Sequence, residues 1–225
     1  MNTNQEPSFI HRYLDPSERL GEILFGLIMV LTFTLTAGLT IDQEDPGAAR
    51  ELFIAALGCN IAWGIIDGGF YIMGAMMARA RKAKALRDVQ TAANEPAALS
   101  IIAEAMQGTL ADHATPEERG PLFQAILKLA RRAPPEQIRA TRDDMMGAIA
   151  VCFLVIVSCI PASIPFLFIE KESLAMRTSN AILLLMLFLI GYQWGRHAFT
   201  SKWISGLVFL VIGLALVLIA IALGG

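Results

Sequence analysis

Charge is what this sequence has least of. Asp, Glu, Lys and Arg make up 17% of its 225 residues, where an ordinary soluble domain carries about a quarter. That leaves too little polar side chain to clothe a water-soluble globule. Cysteine is scarce as well. Cys59, Cys152 and Cys159 all lie in apolar runs, and with no C-x-x-C and no Cys/His cluster they fit neither a disulfide scaffold nor a zinc or redox motif. Neither sign of charge dominates, since Lys+Arg 18 against Asp+Glu 20 leaves a net -2, which argues against nucleic acid as a partner. No Walker motif, H-E-x-x-H or nucleophile elbow is present, so nothing argues for an enzyme or for a bound cofactor. The first residues lack the basic stretch and small-residue cleavage site of a signal peptide, and the first apolar run is expected to persist as a helix.

What fills the space is hydrocarbon: 55% of residues are hydrophobic and the mean hydropathy is +0.56. Five stretches, 23–41, 52–78, 145–169, 178–195 and 203–225, are nearly free of charge. Roughly 20 apolar residues at about 1.5 Å each cross a hydrocarbon core of about 30 Å. Every run meets or nearly meets that length, and Arg196 can reach back toward headgroups for the shortest of them. The pattern predicts an all-α polytopic membrane protein with five transmembrane helices. Its parts would be a cytoplasmic N-terminal segment at 1–22, helices 1 and 2 in 23–79, a cytoplasmic helical domain at 80–144 inserted between helices 2 and 3, and helices 3 to 5 in 145–225. Fifteen of the 18 basic residues then fall on one side, leaving Arg50, Lys171 and Arg177 on the other. The excess marks the cytoplasm. The N-terminus is therefore expected inside and the C-terminus outside, in a lipid bilayer such as a bacterial inner membrane.

Polar residues within the apolar runs are the candidates for function. Asp67 stands out, at about 22 Å from Leu52 and about 16 Å from Ala78 along a helix, too far from either end to snorkel. A carboxylate at such depth costs about 2.5–3.5 kcal/mol on insertion scales, and intramembrane carboxylates are functional by default. It either packs as a protonated side chain or serves as an ion or proton site. Asn60 and Tyr71 fall on the same helix face and offer neutral oxygens. Glu18 and Glu22, four residues apart at the cytoplasmic mouth of the first run, are either helix-terminal acids or a cation-gathering pair. Thr32, Thr36 and Thr40 repeat every four residues and either pack on their own helix or line a polar path. Met29, Met73, Met76 and Met77 can soften an oxygen site, although methionine also fills gaps in packing. Pro161 and Pro165 should loosen the outer half of the third span and so bare carbonyls opposite Asp67.

In the insertion, the second helix should run on to Asn94-Glu95-Pro96, and a short helix over 97–107 should end at Gly108. Thr115-Pro116-Glu117-Glu118 reads as a capping box. The helix that follows presents Leu122, Phe123, Ile126, Leu127 and Ala130 on one side until Pro134-Pro135 stops it, and a last helix leads into the third span past Asp143 and Asp144. The Gly64–Gly68 step permits close helix contact. That glycine face and the apolar stripe both ask for partners, which predicts a homodimer.

Several local patterns go further. Glu18-Arg-Leu-Gly-Glu22-Ile-Leu-Phe-Gly26, then Ala37-Gly38-Leu39, the glycine-rich stretch Gly58–Gly74, Ile160-Pro161, Pro165-Phe166, Gly191 and Ser205-Gly206 resemble the vacuolar iron transporter family over residues 15–225. The resemblance implies a homodimer that exchanges a divalent metal, iron or manganese, for protons. Glu18 and Glu22 match the family's acids at the cytoplasmic mouth. Leu27-Ile28-Met29-Val30 stands where the family has a first-helix aspartate, Asn60 falls at a glutamate position, and Asp67 is this chain's own carboxylate. By the same resemblance, Glu104, His113, Glu117 and Glu118 are candidates for collecting metal on the cytoplasmic helices. The expected function is proton-coupled export of a divalent transition metal from the cytoplasm. The alternatives are a scaffold or regulatory protein that keeps the fold without transport, and a carrier of another solute.

Overall fold

The computed structural model describes residues 9–37, 48–198 and 200–222, and among these the chain is helical with no strand. In order they form α1 (Phe9–Tyr13), α2 (Pro16–Ala37), α3 (Ala48–Gln90), α4 (Glu95–Ala105), α5 (Pro116–Arg132), α6 (Arg142–Ser163), α7 (Pro165–Phe168), α8 (Glu172–His197) and α9 (Lys202–Ala222). Four of them, α3, α6, α8 and α9, are long and apolar enough to cross a membrane. Helix α2 has the same 22-residue length as α6 but carries Glu18, Arg19 and Glu22 in its first two turns. Gly38, Leu39, Thr40 and the Thr36 side chain lie outside the described residues. Two compact units divide the chain, Met1–Tyr71 with Arg142–Gly225, and Ile72–Thr141.

In the first unit α2 is central, touching α6, α8 and α9. Leu27, Val30 and Leu31 are wholly buried and pack with Cys159, Ala162, Leu183 and Leu187. Lipid tails are as apolar as leucine, so helices in a bilayer are held by closeness of fit rather than by escape from water. Glycine provides that closeness. A Cβ on Gly26 would run into the Ser158 side chain and stand 2.7 Å from the Val155 carbonyl oxygen. One on Gly68 would stand 2.9 Å from the Ala148 carbonyl, and one on Gly64 3.1 Å from the Cys152 carbonyl. Both α2 and α3 therefore meet the backbone of α6. The Gly64–Gly68 step finds its partner within the subunit, whereas Gly58 and Gly69 face open space. Helices α8 and α9 form a hairpin closed the same way, with Gly191 against the Ser205 carbonyl and Gly206 against the Phe188 ring. Pro161 stays inside α6, and the expected loosening takes the form of a break at Ile164 before α7.

The second unit holds the end of α3 with α4 and α5. Helix α3 stops at Gln90, short of Asn94, because the Asn94 side chain starts the next helix instead. Its Oδ1 accepts from Ala97 N at 2.9 Å and caps α4. Gly108, at φ 77, turns the chain after α4 in the left-handed region that glycine adopts freely. The Thr115–Glu118 capping box forms as expected. Phe123, Ile126, Leu127 and Ala130 pack on Val89, Ala98 and Ile102, so most of the apolar stripe is covered by its own unit while Leu122 and Leu129 stay exposed. The homodimer expectation loses that part of its support. No separate helix precedes α6. Residues 133–141 are extended or irregular, and Asp143 and Asp144 sit in the first turn of α6 itself.

Gly68→Leu and Gly69→Leu gain the same helix propensity, so comparing them isolates the contact with α6. Thermal unfolding in detergent should show Gly68→Leu less stable than Gly69→Leu by about 1–3 kcal/mol, the usual cost of overpacking. Equal midpoints would contradict the packing described.

Candidate functional site

The site begins with how α2 starts. Pro16 fits the first helical position, where its missing N–H costs nothing, and Asp15 stands before it. Glu18 Oε2 accepts from Asp15 N at 2.7 Å, the reciprocal half of a capping arrangement. Glu18 thus serves the helix end and is exposed. One turn on, Glu22 does something else. Its carboxyl lies beside the carboxyl of Asp67 on α3, within reach of sharing a proton. The two acids are therefore split between two roles, one capping and one paired with the half-buried Asp67.

A hydrogen bond between two carboxyl groups requires a proton on one of them. Burial, then the hydrogen bond and charge of Asp67, then the charge of Glu18 push the Glu22 carboxyl up to about 8 from an ordinary 4.5. Glu22 is the last residue of the polar segment before the apolar run. Arg19, one turn earlier, places its Nη1 in a buried position with no hydrogen-bond partner among the described residues. In the sequence it counts only as an orientation charge, and nothing in its spacing marks it out.

The pairing also revises the level of Asp67. Its neighbour Gly68 lies against Ala148, four residues past Asp144, which is about 6 Å along α6. Asp67 thus stands near the charged ends of α2 and α6 rather than midway along the bundle. Counting from Ala78 placed it deeper because α3 continues beyond the first unit. The break at Ile164 is sixteen residues past Ala148, about 24 Å along the helix. The expected carbonyls opposite Asp67 are therefore at the other end.

Asn60 is fully buried two turns from Asp67 along α3. Its Nδ2 donates to the Gly26 carbonyl at 3.2 Å and the Val155 carbonyl at 3.1 Å, bracing α3 to α2 and α6 at once. Its Oδ1 has no partner among the described residues. Tyr71 donates to the Tyr13 carbonyl at 3.2 Å and lays its ring on Gly147. With Arg12, Tyr13, Asp143 and Asp144 it lines a polar cavity of about 260 Å³. Met29 is half-buried two turns past Glu22, where its carbonyl accepts from Thr32 Oγ1 at 3.1 Å. Thr32 also bonds to the Ile28 carbonyl at 2.9 Å, the bond to the preceding turn that its packing role requires.

In the second unit, Glu118 Oε2 accepts from Thr115 N at 2.9 Å, and Glu104, His113 and Glu117 are exposed. Among the described residues no three His, Cys, Asp or Glu side chains come together to hold a metal ion. Glu104, His113, Glu117 and Glu118 are therefore not assembled into a site, and the acids that meet across α2 and α3 are the pair Glu22 and Asp67.

The pair gives a pH signature. Glu22 keeps its proton in the folded protein where the unfolded chain has lost it, so its stabilisation is complete below pH 4.5 and disappears as pH rises through about 8. Across that window the thermal midpoint of the wild type should fall relative to Glu22→Gln, which keeps the donor but cannot titrate. Parallel curves for the two proteins would show that Glu22 is not the proton-holding member.

No protein-family model matches the sequence, and no curated protein is significantly similar to it.

Proposed function

We propose that the chain is a membrane transporter in which the Glu22–Asp67 pair alternates between a proton and a cation, exporting a divalent transition metal, iron(II) or manganese(II), from the cytoplasm. The observation that carries this reading is the meeting of two carboxyl groups from two different helices. Two carboxyls in contact hold one proton stably. When that proton leaves, their combined negative charge needs a cation. A site near the charged ends of α2 and α6 is one that the cytoplasm can load. Hard oxygen donors suit manganese and iron(II), and the remaining ligands would be water or groups of a second copy in a homodimer.

In the same reading α2 joins α3, α6, α8 and α9 as a fifth transmembrane helix. It is enclosed by three of its neighbours in the first unit, and its interior residues have no exposure. The N-terminus and the 80–144 insertion lie in the cytoplasm and the C-terminus outside, as the basic residues direct.

One observation favours a second reading. With no third His, Cys, Asp or Glu beside the pair among the described residues, the carboxyls can serve as a proton site alone while another solute moves.

Proteoliposomes separate the two. Manganese or iron(II) added on one side should drive proton movement in the wild type, and Asp67→Asn should lose it while still inserting and folding. Metal-driven flux that survives Asp67→Asn would refute the role of the pair. Proton movement indifferent to metal would favour the other solute.

A further inference from the structure

The second unit contains a cavity of about 730 Å³, within the size range of sites that enclose a small ligand. Leu86 and Val89 of α3, Ile102 and Met106 of α4 and Ile126 of α5 form its walls. It exists because alanines stand where larger side chains would close the gap: Ala85, Ala105 and Ala130 all line it. Past the end of α5, the Pro134-Pro135 segment carries the chain across its rim without refilling it. Gln90 holds that crossing in place, its Nε2 donating to the Ala130 carbonyl at 2.9 Å and the Ala133 carbonyl at 3.0 Å. An apolar void of this kind attracts little water and gains dispersion contacts when an apolar body enters.

The polar side chains of the lining are Lys82, Glu136 and Gln137. Lys82 Nζ meets Glu136 Oε2 at 3.0 Å, with Lys82 72% exposed and Glu136 28% exposed. A pair so open to solvent is weak and exchangeable, so a competing anion can take Lys82 from Glu136. The surroundings favour an anion. Arg79, Arg81, Lys84 and Arg87 flank Lys82 on α3, and Arg131 and Arg132 end α5, against Asp88, Glu104 and Glu136 nearby in sequence. An apolar chamber with a cationic rim fits a long hydrocarbon chain that ends in a negative charge.

We propose that this cavity binds a free long-chain fatty acid, the hydrocarbon chain among Leu86, Val89, Ile102, Met106 and Ile126 and the carboxylate on Lys82. This goes beyond the transport reading and does not depend on it.

The test uses the full chain in phosphatidylcholine nanodiscs with a diazirine-bearing fatty acid, and adducts are mapped by mass spectrometry. Label should fall on peptides covering 82–106 and 126–137, and excess oleate should compete it away. Lys82→Glu, a change at an exposed side chain that leaves the walls intact, should weaken labelling by the carboxylate probe about tenfold, the scale of one charge-assisted hydrogen bond. It should leave labelling by the matching fatty alcohol unchanged. Ala130→Phe, which fills the chamber, should abolish both. The proposal is overturned by label confined to the apolar spans, by label that oleate does not displace, or by equal effects of Lys82→Glu on the acid and the alcohol. It is equally overturned if a phospholipid carrying the diazirine in its acyl chain labels the same peptides as strongly as the free acid, because the occupant is then bilayer lipid.

Discussion

Two carboxyl groups brought within hydrogen-bond reach inside a helix bundle must share a proton or a cation, and the packing of α2, α3 and α6 imposes that condition on Glu22 and Asp67. Neither residue can move away cheaply. Gly26 holds α2 on the backbone of α6, Gly64 and Gly68 hold α3 on it, and Asn60 ties the three together through two backbone carbonyls. Where lipid supplies no hydrophobic force between helices, such contacts determine position. The charge at the site is thus set by glycines one to several turns away. Desolvation does the rest by disfavouring two bare negative charges side by side.

Other polar groups in the first unit are spent on holding helices. Glu18 completes the start of α2, Thr32 bonds to its own helix, and Tyr71 secures the N-terminal turn at Tyr13. Three atoms are left over, Asn60 Oδ1, Arg19 Nη1 and Ser179 Oγ, all buried and without partners among the described residues. A buried acceptor without a partner is costly and rare.

Much of this was legible in the sequence, and the reasons differ from element to element. The helices were, because apolar runs of spanning length have few other uses. So was the cap at Thr115, since Thr-Pro-Glu-Glu supplies the oxygen and the reciprocal acid at fixed offsets, whereas Asn94 was read as the end of one helix and not as the cap of the next. Asp67 and Glu22 were each visible as acids bordering or within apolar segments. Their pairing was not, since it joins residues on separate helices and depends on how far each helix slides past the other. The level of Asp67 was misjudged because Ala78 marks a change of composition and not the end of the helix. Glycine identity did not reveal which face was inside: Gly68 and Gly69 are adjacent, yet one meets a carbonyl and the other meets nothing. The cavity in the second unit was hidden because alanine in a helix reads as a good helix former, not as missing volume.

The central claim is that the Glu22–Asp67 pair trades its proton for a metal cation. Metal binding to a protonated site must release protons, so the direct measurement is the pH change when manganese(II) is added to the purified protein in weakly buffered detergent near neutral pH. The account predicts release of about one proton per subunit at saturation, absent in both Glu22→Gln and Asp67→Asn. Manganese binding with no proton released, or release that persists in both variants, would contradict it.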